Sequence, residues 1–89
     1  MVSEHCDLNE FLSTVKNREP NDIILTAIYE VTTIERLFLK NRRSKNFPFQ
    51  QHQTYAEQLK MLISYLRYGL RSPALSRAPI DVLNRIPRP

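Results

Sequence analysis

Apolar residues recur at helical spacing in three stretches of the chain. Leu8, Phe11, Leu12 and Val15 stand at i, i+3, i+4 and i+7, which lines one face of a short helix. Asp7, three residues ahead of Glu10, supplies a start resembling a capping box, with Asp in place of Ser or Thr. This helix is expected to end near Asn17, because Pro20 drives Glu19 away from helical angles. Asn21 or Asp22 caps the next helix, with Pro20 just outside it. Its core stripe reads Ile24, Ala27, Ile28, Val31, Ile34 and Phe38, flanked by Ile23 and Leu37. The stretch from Ile23 to Ile34 is rich in β-branched residues, which suits a strand. Alternation fails, however, since Ile23, Ile24 and Leu25 are consecutive. The segment also runs about 20 residues without a breaker, too long for an ordinary strand. A helix is the better reading.

Residues 41–49 read as a loop carrying Arg42, Arg43 and Lys45, then Phe47-Pro48-Phe49. The two phenylalanines are expected to fold back onto the core. The third helix is the clearest, running from about Gln51 to Arg71. Tyr55, Leu59, Leu62, Ile63, Leu66 and Leu70 form its stripe, widened by Met61, Tyr65 and Tyr68. Gly69 and Pro73 are its stop signals. Pro79 suits the first turn of a short fourth helix, 80–86, anchored by Ile80, Leu83 and Ile86. Residues 1–6 and 87–89 read as disordered tails of a single helical domain spanning 1–89.

The expected fold is therefore all-α: an antiparallel hairpin of two long helices plus two short ones. Two long helices cannot enclose stripes this wide, and the short helices cover only part of what remains. A second copy or a bound protein is expected to complete the small bundle, with a compact four-helix monomer as the simpler alternative.

Composition sharpens this picture in a few places. An 89-residue chain buries a modest share of its surface, which makes a lone monomer marginal. Its single glycine argues against the turns and bulges of a strand-rich fold. The net charge of +4 conceals an asymmetry: seven acids against two bases in residues 1–35, and eleven bases against two acids in 36–89. Such polarity points to an anionic partner or charge-guided self-assembly. Equally, the acidic first part can fold onto the basic second. No apolar run is long enough to span a membrane, and residues 1–6 lack the pattern of a signal peptide. The expected location is cytoplasmic, or else nuclear.

Little suggests catalysis. His5 and His52 are the only histidines, one in a tail and one at a helix start. His5-Cys6 has no second pair at ligand spacing, and Cys6 has no basic neighbour in a folded element to activate it. Glu30 and Glu35 lie five apart, on different helix faces, and both are expected to be solvated. One glycine cannot build a phosphate loop. No catalytic residue, metal, cofactor or small-molecule substrate is assigned.

The leading expectation is a non-enzymatic protein–protein interaction module: an adaptor, regulator or assembly subunit acting through helix 51–71 and the C-terminal segment. Its anchors are Tyr65, Leu66, Tyr68 and Leu70, with Arg67 and Arg71 giving specificity, since tyrosine and arginine are favoured at interfaces. The partner is another protein, or the chain itself as a homodimer. The other reading is nucleic-acid binding. Lys40, Arg42, Arg43 and Lys45 would neutralise phosphates, with Phe47 and Phe49 available for stacking. Arg77, Arg85 and Arg88 add charge further on. No helix-turn-helix, zinc-finger or RNA-recognition spacing accompanies them. Attachment to an anionic membrane is the weakest of the three readings, because Lys60 is the only lysine on helix 3.

Overall fold

The computed structural model describes residues 7–69. Three helices follow in order: α1 (Leu8–Val15), α2 (Pro20–Lys40) and α3 (Phe49–Tyr68), with no strand among the described residues. The all-α expectation holds for this part of the chain. The anticipated linker, the fourth helix at 80–86 and both tails lie outside the described residues.

Each helix begins and ends for a local reason, and these reasons differ in detail from expectation. Asp7 is extended (φ −141°, ψ 131°), and its carboxylate accepts the Asn9 N–H at 2.7 Å. That satisfies one of the amides left orphaned at a helix start. α1 stops at Val15, two residues before Asn17. α2 starts at Pro20 rather than after an Asn21 or Asp22 cap, and Glu19 holds the N-cap position without a side-chain cap bond. Proline lacks the N–H that the first turn would leave unpaired, and its fixed φ is already helical. α3 starts at Phe49, directly after Pro48, two residues earlier than expected. Its last helical residue is Tyr68, and Gly69 adopts left-handed angles (φ 70°, ψ 14°) while its N–H donates to the Tyr65 carbonyl at 2.8 Å. Helix 3 therefore does not run on to Arg71; glycine takes the left-handed stop without a Cβ penalty.

α2 packs along α3, and α1 packs against α3 at lesser extent. All four apolar residues of α1, namely Leu8, Phe11, Leu12 and Val15, are buried. They meet Ile23, Ile24, Ala27, Val31 and Ile34 from α2 and Tyr55, Ala56, Leu59, Leu62 and Leu66 from α3 in one core. Phe38, Met61, Ile63 and Tyr65 pack half-buried against it.

The buried face of α2 is rotated relative to the expected stripe. Ile23, read as a flank, is fully buried, whereas Ile28, read as core, is exposed. Glu30, expected in solvent, is 5% exposed. Residues 23, 27, 30 and 34 follow at i, i+4, i+7 and i+11, so Glu30 falls on the edge of the buried face. Glu35 is exposed, as expected.

Candidate functional site

Opposite its core face, α2 carries a second row of large apolar side chains. Leu25 is 64% exposed, Tyr29 70% and Leu39 70%, with Ile28 between them. At 100° per residue, Leu25, Ile28, Thr32 and Leu39 fall within about 60° of one another. Tyr29 and Arg36 continue the row on one side. The threonine in this row is chemically quiet: the Thr32 hydroxyl donates to the Ile28 carbonyl at 3.0 Å. Thr26 and Thr33 do the same toward Asp22 and Tyr29, at 2.7 and 3.0 Å. A threonine bonded back to its own helix has its donor satisfied and turns its methyl outward. The row is thus apolar from Leu25 to Thr32 and again at Leu39, with Arg36 between them, on a helix 21 residues long.

This row was not foreseen, although a signal for it exists in the sequence. Where three apolar residues are consecutive, as in Ile23-Ile24-Leu25 and Leu37-Phe38-Leu39, a helix cannot bury them all on one face. Leu25 and Leu39 are the ones turned out.

The basic loop lies at the C-terminal end of α2. Lys40, Arg42, Arg43 and Lys45 are all exposed, where the negative end of the helix dipole favours cations. The loop is held by its own hydrogen bonds. The Asn41 side-chain amide donates to the Leu37 carbonyl at 2.9 Å, and the Ser44 N–H donates to the Asn41 carbonyl at 2.8 Å. Phe47 and Phe49 fold back as expected. Their ring centroids are 4.7 Å apart, and Phe38 lies 6.3 Å from Phe47 and 5.8 Å from Phe49. His52 tilts over Phe47 at 4.7 Å and donates its Nδ1–H to the Pro48 carbonyl at 3.0 Å. These rings tie the loop to both long helices, each aromatic pair adding about 0.5–1.5 kcal/mol beyond burial. Phe47 and Phe49 are half-buried in that cluster, which limits the ring area they can offer a nucleic-acid base.

Beside the cluster lies an open groove of about 580 Å³ lined by Glu35, Phe38, Leu39, Arg42, Phe49 and Gln53. Its floor is apolar and its rim carries one acid and one base. Leu39 belongs both to this groove and to the outer row of α2.

The residues anticipated on α3 divide three ways. Leu66 is 2% exposed and belongs to the core, and Tyr65 is half-buried against it. Arg67 and Tyr68 are exposed, Tyr68 by 69%. Leu70 and Arg71 lie outside the described residues, as do His5, Cys6, Arg77, Arg85 and Arg88. Among the described residues no three His, Cys, Asp or Glu side chains gather closely enough to hold a metal ion. No described helix is long and apolar enough to cross a membrane. The chain matches no known protein-family model, no curated protein and no solved structure.

Proposed function

We propose that this protein is a non-enzymatic protein–protein interaction module, an adaptor, regulator or assembly subunit built on an antiparallel α2–α3 hairpin. One observation carries the reading: Leu25, Tyr29 and Leu39 are each exposed by roughly two-thirds on the same side of one helix. Large apolar side chains in a row are costly to leave in water and mark interaction surfaces more often than singly scattered ones do. Tyr68 and Arg67, exposed at the end of α3, offer a second contact of the kind interfaces favour, and Leu70 and Arg71 follow them in sequence. The cytoplasm, or the nucleus, suits a chain with a single thiol.

Capture from native lysate with the full chain as bait, run with and without nuclease, tests this. A protein partner retained after nuclease treatment and lost on Tyr29→Asp supports the module. Capture lost to nuclease and to Arg42→Glu with Arg43→Glu, but untouched by Tyr29→Asp, would replace it with nucleic-acid binding. That second reading draws on the four exposed cations around the α2 C-terminus, and it requires an affinity that falls steeply with salt.

A further inference from the structure

We propose that the occupant of the outer row of α2 is a second copy of this chain, docked antiparallel about a two-fold axis that passes beside Thr32. The inference rests on the interaction-module reading and names its partner.

The row is self-complementary about its midpoint. Leu25 and Leu39 stand seven residues to either side of Thr32. A two-fold axis at Thr32 therefore sets Leu25 of one copy against Leu39 of the other, twice. It also delivers Leu25 to the mouth of the apolar groove that Leu39 borders. At the axis the side chain is small and its hydroxyl is already bonded to the Ile28 carbonyl, so two helices can approach closely without stranding a donor.

Charge complementarity favours the antiparallel direction. Asp22, Tyr29, Arg36 and Lys40 fall within about 40° of one another along one edge of the row, and all four are exposed. In an antiparallel pair this edge meets its own symmetry mate. Asp22 then lies near Lys40 of the other copy, and Tyr29 near Arg36 of the other copy, an ion pair and a cation–π contact respectively. In a parallel two-fold pair this edge would instead meet the opposite edge of the row, where Ile28 and Glu35 lie, and neither contact would form. The acidic end of α2, with Glu19 and Asp22, also comes beside the basic end with Arg42 and Arg43, and the two helix dipoles oppose one another favourably.

The area suffices for a reversible dimer. The exposed surface of Leu25, Ile28, Tyr29 and Leu39 amounts to roughly 500 Å² per copy, so roughly 1,000 Å² for the pair. That is about the threshold for a biological interface and in the range of weak, reversible ones.

The test is sedimentation and light scattering of the full chain from low micromolar to submillimolar concentration. A monomer–dimer equilibrium is expected, weakened about tenfold or more by Leu25→Asp. Both Leu25 and Asp22 are exposed, so a melting curve at low concentration verifies that each variant remains folded. Asp22→Lys should weaken the dimer, and adding Lys40→Asp should restore it, a rescue that a change in fold would not give. In a Cys6→Ser background, Thr32→Cys should form a disulfide-linked dimer on mild oxidation, whereas Lys60→Cys on α3 should not. A monomer at every concentration overturns the proposal, as does a dimer indifferent to Leu25→Asp or one that Thr32→Cys does not cross-link. If the chain is monomeric yet Tyr29→Asp still abolishes capture of another protein from lysate, the second copy is refuted and the interaction module stands.

Discussion

Both faces of α2 carry large apolar side chains, in opposite circumstances. On the inner face Ile23, Ala27 and Ile34 are almost completely buried; on the outer face Leu25, Tyr29 and Leu39 are left mostly in solvent. Residue type alone does not separate them, because Ile and Leu occur on both. Position around the helix does, since α1 and α3 cover one side only. Burial is thus a property of the neighbours a side chain finds, and among the described residues α2 finds them on one side only.

Substitutions on the two faces can break this contrast or sharpen it. Ile34→Ala, inside the core, should cost about 2–5 kcal/mol of unfolding free energy, read from the denaturant midpoint at unchanged slope. A loss below 1 kcal/mol would mean the inner face is looser than its burial implies. Ala27→Leu tests the same face from the other direction. Ala27 is fully buried, so the added bulk should cost about 1–3 kcal/mol through overpacking. Gly69→Ala should cost about 1 kcal/mol although the residue is exposed. Nothing lies within 4 Å of where its Cβ would sit, so the penalty is that of left-handed backbone alone. Leu25→Ser, at protein concentrations too low for association, should change stability by less than about 0.5 kcal/mol. A loss as large as that at Ile34 would show the outer row to be covered by the chain's own residues.

The existence of α1, α2 and α3 was legible in the apolar spacing, and so was the folding back of Phe47 and Phe49. What misled was the exact phase of α2. With Ile23, Ile24 and Leu25 consecutive, and Ile28 beside Tyr29, the pattern admits more than one buried face; packing against α1 and α3 selected Ile23 over Ile28 and drew in Glu30. Helix starts came two or three residues early, because proline at N1 replaced the polar cap expected of α2 and α3 begins directly after Pro48. The basic loop was readable as exposed charge. Leu66 shows the deeper limit. A stripe residue is apolar for the same reason whether it meets its own core or a partner, so periodicity cannot tell an anchor from a core residue.

One consequence of this burial pattern is optical. The chain has four tyrosines and no tryptophan. Tyr55 is sealed in the core, while Tyr29 and Tyr68 stand in solvent. A collisional quencher such as acrylamide should dim the emission of the two outer phenols and leave Tyr55 bright until the chain unfolds. The molecule thus reports the integrity of its interior and the occupancy of its outer helix through separate chromophores, with no label attached.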